Sequence, residues 1–150
     1  MGYNWGAGKL SRVRAIEKCC FGASCVVSLA SVVAIALLPG QIAGLFMSDA
    51  TPEVMSIAIG ALRLFSLTYI TRWFSFAVQS YMLAIEKAVP ASVISVATAL
   101  VFPVILIGVL WPLGLTGIWL NLAGTSVLAA ILSAGILLKY RAELSGPDTQ

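Results

Sequence analysis

The sequence has 150 residues, 60% of them hydrophobic and 10% charged, with a mean hydropathy of +1.00 and a formal net charge of +3. Soluble domains average about 45–50% apolar and about 25% charged residues, so this composition excludes one and points to an integral membrane protein. The basic residues sit at the ends of apolar segments, where membrane topology already explains them; nucleic acid is therefore not an expected partner.

The lead, Met1 to Lys18, carries Gly2, Gly6 and Gly8 and then Lys9, Arg12, Arg14 and Lys18. It is not a phosphate-binding P-loop. That pattern needs a glycine five residues before the Gly8-Lys9 pair and a Ser or Thr after it, and these places hold Tyr3 and Leu10. The expectation is a glycine-permitted turn on the cytoplasmic side, leading into a basic helix start. The first apolar run begins only near Cys19, so a cleavable signal peptide is not expected. Cys19, Cys20 and Cys25 lack metal or redox spacing, and the chain has no histidine, so the expected metal ligands and catalytic residues are none.

Residues 19–38 make a first spanning helix, about 20 residues for a hydrocarbon core of about 30 Å. Cys20, Ser24, Ser28 and Ser31 form a small-residue face on which another helix can pack closely. Pro39-Gly40 breaks or bends this helix, Leu45-Phe46 stays near the interface, and Ser48 to Glu53 is a polar turn. Within it Thr51 is an N-cap, with Pro52 at the first helical position.

The second helix, about 53–85, is the one around which the rest is organised. It is apolar enough to span, yet Thr68, Arg72, Ser75, Gln79 and Glu86 fall within an arc of roughly 60° at 100° per residue. The other face carries Ile59, Leu67, Ile70 and Phe74. A guanidinium near mid-bilayer costs about 2.5–3.5 kcal/mol on insertion scales, so Arg72 must face a wet cavity, a partner helix or a bound anion. Both a cavity wall and a buried polar helix contact fit this pattern. Arg63 lies near the outer boundary, where snorkelling lowers its cost.

A third helix, about 90–110, contains Pro103, which should kink it. Trp111-Pro112-Leu113-Gly114 is a tight turn into a fourth helix, about 117–138, where Asn121 and Thr125 share a face suited to helix–helix hydrogen bonds. Residues 142–150 are a polar cytoplasmic tail. With four crossings, all loop Lys and Arg fall on one side, and the opposite loops carry Asp49 and Glu53. Both termini are then cytoplasmic. All six acidic residues map to loops or helix ends, which leaves no intramembrane carboxylate for ion exchange.

Four motifs in order resemble the multidrug and toxic compound extrusion (MATE) transporters. Asn4-Trp5-Gly6-Ala7-Gly8, followed by Arg12-Val13-Arg14, is similar to the family's cytoplasmic loop. Phe46-Met47-Ser48-Asp49, Leu62-Arg63-Leu64 and Gly114-Leu115-Thr116-Gly117-Ile118-Trp119 are similar to later family segments. The resemblance implies an all-α membrane fold, with these four helices matching helices nine to twelve of a twelve-helix transporter. It also implies a partner lobe outside this chain, a plasma (inner) membrane location, and small organic substrates, often cationic, exported against H⁺ or Na⁺. No cofactor beyond that ion gradient is implied. The substrate-cleft candidates are Thr68, Arg72, Ser75 and Gln79. A lipid-linked saccharide flippase of the same superfamily, or a non-transporting accessory fragment, are the alternatives.

Overall fold

The computed structural model describes residues 1–47 and 51–143. The Ser48-Asp49 part of the polar turn, and the tail from residue 144, lie outside the described residues. Among the described residues the chain forms α1 (Gly2–Gly6), α2 (Leu10–Leu37), α3 (Pro39–Phe46), α4 (Pro52–Ala84), α5 (Ala88–Val96), α6 (Phe102–Leu110) and α7 (Gly114–Glu143). A π-helical turn, Ala97–Val101, joins α5 to α6, and a 3₁₀ turn, Trp111–Leu113, joins α6 to α7. Three helical stretches among these residues are long and apolar enough to cross a membrane: Leu10–Leu37, Pro52–Ala84 and Ala88–Arg141. The third spans 54 residues and includes the reversal at Gly114.

The boundaries follow from local chemistry. The expected glycine turn in the lead is instead a short helix, α1, closed at Gly8. Gly8 takes φ 68°, while Lys9 N–H donates to the Asn4 carbonyl (2.9 Å) and Gly8 N–H to that of Trp5 (3.0 Å). This double bond pattern is a Schellman ending, which uses a left-handed residue just past the helix. The same pattern ends α4: Lys87 N–H donates to Met82 (2.9 Å) and Glu86 N–H to Leu83 (3.2 Å). Here the left-handed residue is Glu86, with φ 63°, so the glutamate expected on the polar face of α4 stands outside the helix. A side chain in that region costs about 1–2 kcal/mol relative to glycine.

The first spanning helix, expected from Cys19, already starts at Leu10. Arg12, Arg14, Glu17 and Lys18 are good helix formers and let it project past the apolar segment. It ends at Leu38, where Pro39 forces the preceding residue off helical geometry (φ −125°, ψ 37°). Thr51 caps α4, its Oγ1 accepting from Val54 N–H at 3.5 Å, with Pro52 in the first turn.

Pro103 acts through the π turn just before it. A proline ring clashes with the carbonyl four residues back, and a wider i→i−5 turn relieves that crowding. Phe102 N–H accordingly donates to the Ala97 carbonyl. α7 begins at Gly114, not Gly117, because Gly114 supplies the positive φ (56°) that reverses the chain.

α4 is central and packs against α2, α3, α5 and α7. α2 runs antiparallel to it: Ser28 Oγ donates to the Tyr69 carbonyl (2.9 Å), and Phe21 meets Phe74 edge-on at 5.9 Å. α7 runs parallel to α4, joined by the Thr71–Ser126 hydroxyl bond at 2.9 Å. α6 returns antiparallel to α7. Asn121 Nδ2 donates to the Pro103 carbonyl (3.1 Å), and Thr125 Oγ1 donates to Asn121 Oδ1 (3.0 Å). Four rods, α2, α4, α5–α6 and α7, thus alternate in direction. The tightest core gathers at one end, where Val13, Val78, Met82, Ile85, Ile94 and Leu137 are buried with Trp5 and Met1 packed against them. The outer faces of α2, α6 and α7 expose large apolar side chains such as Val26, Val104 and Ile131.

Candidate functional site

The polar residues of α4 divide into two groups. Thr68 and Ser75 are 1% and 4% exposed, and neither hydroxyl has a hydrogen-bond partner among the described residues. They flank Thr71, which bonds Ser126 on α7, and α7 presents Ser126, Ala129 and Ser133 fully buried on one face. Small side chains there let two helix backbones approach closely. Arg72 and Gln79 are half-buried. The Arg72 guanidinium lies 5.3 Å from the centre of the Phe76 ring, a cation–π contact that offsets part of its desolvation.

Phe76 also borders a groove between α2 and α4 of about 340 Å³, lined by Ile16, Cys20, Phe21, Ser24 and Tyr81 among others. Arg72 therefore stands at the edge of a mixed polar and aromatic groove. A second, larger groove of about 520 Å³ lies at the α6–α7 turn, bordered by Trp111, Leu115, Ile118 and Asn121, away from the α4 polar face. The four cleft candidates are thus not gathered around one cavity: Thr68 and Ser75 are buried in packed interior, Arg72 reaches a groove through Phe76, and Gln79 is half-buried and lines no described groove.

Sequence reasoning placed every acidic residue at a loop or helix end, and it missed Glu17. That carboxylate lies two turns into α2, is 4% exposed, and pairs with Arg141 of α7 at 3.7 Å. Tyr81 of α4 is buried within electrostatic range of both, and of Arg14. The pair therefore ties α2 to α7 across the end of α4. A signal for it existed in the sequence. Extending the small-residue face of α2 back from Ser28 and Ser24 at helical spacing lands on Glu17 and then Val13, both buried.

The Glu17–Arg141 pair is asymmetric, because the Arg141 side chain is 57% exposed and that of Glu17 only 6%. Arg141→Leu leaves a buried carboxylate with a partner removed, and should cost about 1–2 kcal/mol once the screening of the exposed guanidinium is allowed for. Glu17→Leu removes the buried charge itself, and the guanidinium it leaves behind is already largely exposed, so it should cost less. The double variant should cost less than the sum of the two single ones. Unfolding in detergent measures all three; equal losses for the two single variants would mean that Glu17 is not desolvated.

The MatE family model matches residues 1–109. The chain belongs to the MatE family. No curated protein and no solved structure matches it. The match covers the first three of the four motifs, and Gly114–Trp119 lies beyond it. MatE proteins are transporters and not enzymes, and membership together with the apolar helices makes this a multi-pass membrane protein.

The structure gives the MatE motif residues physical roles. Gly8 is the left-handed end of α1 and Asn4 supplies the carbonyl that Lys9 caps, so the Asn-Trp-Gly-Ala-Gly run is a helix terminator. Gly6 and Ala7 are exposed, and nothing crowds Gly6.

Proposed function

We propose that this chain is part of a secondary antiporter that exports organic, often cationic, compounds in exchange for H⁺ or Na⁺. Its four rods are four membrane crossings, equivalent to helices nine to twelve of a twelve-helix transporter, with both termini on the cytoplasmic side of the plasma membrane. The observation that carries this reading is the alternation in direction of α2, α4, α5–α6 and α7 in a chain of the MatE family. A rod of about 20 residues spans the hydrocarbon core, so four alternating rods put each successive link on the opposite face. Charge agrees: the start of α2, the α4–α5 link and the end of α7 carry all Lys and Arg except Arg63 and Arg72.

In this reading the partner lobe lies outside the chain, and transport comes from rocking one lobe against the other around a site near the bilayer midplane. Arg72 and Gln79 face that site, while Thr68 and Ser75 support them from the packed side of α4. The coupling ion is bound elsewhere, since α4 has no carboxylate between Glu53 and its end at Ala84, and Glu17 is held by Arg141.

Two measurements test this. With Cys19, Cys20 and Cys25 replaced by Ala, single cysteines at the exposed Ser11 and Leu113 should label from opposite faces of intact cells; labelling from the same face refutes the four crossings. Vesicles carrying the transport-competent assembly should expel a cationic dye only while an H⁺ or Na⁺ gradient is maintained. Efflux unchanged after the gradient is collapsed refutes the antiport.

A further inference from the structure

Three of the buried hydroxyls without a hydrogen-bond partner among the described residues belong to α4 and α7: Thr68, Ser75 and Ser133. Leaving such a group unpaired away from water costs more than its bond would return. The register of the two helices explains why they are unpaired. α4 and α7 run parallel, and Thr71 meets Ser126 at an offset of 55 residues. That offset sets Leu137 level with Met82, and both belong to one buried cluster. It also sets Thr68 level with Ala123, Ser75 with Ala130 and Ser133 with Val78. Each orphaned hydroxyl thus stands level with an apolar residue.

The hydroxyls nevertheless match in spacing. Thr68 and Ser75 lie seven residues apart on α4, Ser126 and Ser133 lie seven apart on α7, and all four are buried. Seven residues make nearly two turns, so each pair keeps to one face of its helix. A movement of α7 by three residues toward the start of α4, about 4.5 Å, brings Ser126 level with Thr68 and Ser133 level with Ser75 together. The Thr71–Ser126 bond is then exchanged for two bonds, and the hydroxyl left over, Thr71, is only half-buried.

The surroundings suit such a step. Ala123, Ala129 and Ala130 keep the seam smooth on the α7 side. α6 travels with α7, because Asn121 holds the Pro103 carbonyl. The π turn Ala97–Val101 joins that hairpin to α5, and π turns inside helices mark places where a helix yields. Leu137 in its cluster and the Glu17–Arg141 pair hold the observed register at the other end.

We propose that α7 has two registers on α4, one turn apart: the observed one, bonded through Thr71 and Ser126, and a second bonded through Thr68–Ser126 and Ser75–Ser133. One-turn ratchets of one packed element past another are an established form of two-state change.

The test uses the full chain in mixed micelles and needs no transport, so its outcome is separate from that of the antiport reading. With Cys19, Cys20 and Cys25 replaced by Ala, Thr71→Cys/Ser126→Cys reports the observed register. Thr68→Cys/Ser126→Cys and Ser75→Cys/Ser133→Cys report the shifted one. Ser75→Cys/Ser126→Cys is the control, out of level by a similar distance in the opposite sense. Disulfides close only when the Cα atoms come within about 7 Å, so oxidation rates read the two registers. Both shifted pairs should close at least tenfold faster than the control. Adding Ser133→Ala to the Thr68→Cys/Ser126→Cys variant removes the remaining bond of the second register and should slow closure about fivefold, the worth of one hydrogen bond. A control that closes as fast as the shifted pairs would show sliding without a second register and overturn the proposal. Closure unchanged by Ser133→Ala would overturn it as well, since the hydroxyls would then not select the register.

Discussion

Gly117→Ala should destabilise the α6–α7 hairpin by about 2–3 kcal/mol, the largest loss expected from any single methyl group in this chain. An added Cβ at residue 117 meets the Leu110 carbonyl oxygen well inside van der Waals contact, and it also approaches Leu113 Cβ at 3.2 Å. The obstacle is backbone, so it cannot rotate away; the end of α6 or the start of α7 must move. That movement would disturb the Asn121 bond to the Pro103 carbonyl, which holds the two helices in register. Three other glycines serve as controls. Gly124→Ala meets only the tip of Leu106, at 3.0 Å, and a side chain can yield, so its cost should be smaller. Gly108 and Gly135 have nothing within 4 Å of the added atom, and alanine there should stabilise by about 0.5–1 kcal/mol through helix propensity. Unfolding of the four variants in mixed micelles ranks them. If Gly117→Ala behaves like Gly135→Ala, the close crossing of α6 and α7 is not present in the membrane.

The contrast among these glycines shows what a sequence can and cannot express. Gly114 and Gly117 were legible as a tight turn and a helix start, because a Trp-Pro-Leu-Gly run has few conformations open to it. Which of the two carries the positive φ, and which the close backbone approach, depends on where α6 meets α7. The same division holds elsewhere. The Thr51 cap of α4 and the helix–helix bond of Asn121 rest on local spacing, and both are seen in the structure, whereas Thr125 bonds Asn121 within α7 instead of a second helix. The π turn before Pro103 is a response to crowding, for which Ala97–Val101 carries no compositional mark. Glu17 was hidden for a different reason. Set among Arg12, Arg14 and Lys18, it reads as one charge in a solvated basic segment, and only the extension of α2 to Leu10 turns it inward beside Val13. The polar arc of α4 loses Glu86, which stands outside the helix. The residues that remain differ in surroundings, because α7 seals Thr71 and its neighbours while Arg72 and Gln79 are only half-buried.

Arg72→Gln should shift substrate preference toward cations by about thirtyfold relative to neutral compounds, and by more relative to anionic ones, in the transport-competent assembly. The argument begins with the placement of the guanidinium, half-buried over Phe76 at the margin of the α2–α4 groove. If a cationic substrate comes within about 8 Å of it at an effective dielectric near 20, the repulsion is about 2 kcal/mol, equivalent to roughly thirtyfold in affinity. Glutamine keeps a polar side chain of similar reach and removes only the charge. Arg72→Lys keeps the charge and the approach to Phe76 but loses the planar fork. The wild-type and Lys forms should therefore rank one cationic and one anionic dye alike, with the Gln form set apart from both. A helix-packing role predicts another pattern. Loss of the Phe76 contact, worth about 0.5–1 kcal/mol at a partly exposed site, would lower the yield of folded protein for Gln without altering the dye ratio. Transport per folded molecule separates the two. An unchanged ratio with reduced yield would make Arg72 part of the scaffold, and the site would then have to be sought on the Gln79 side of α4 or in the partner lobe.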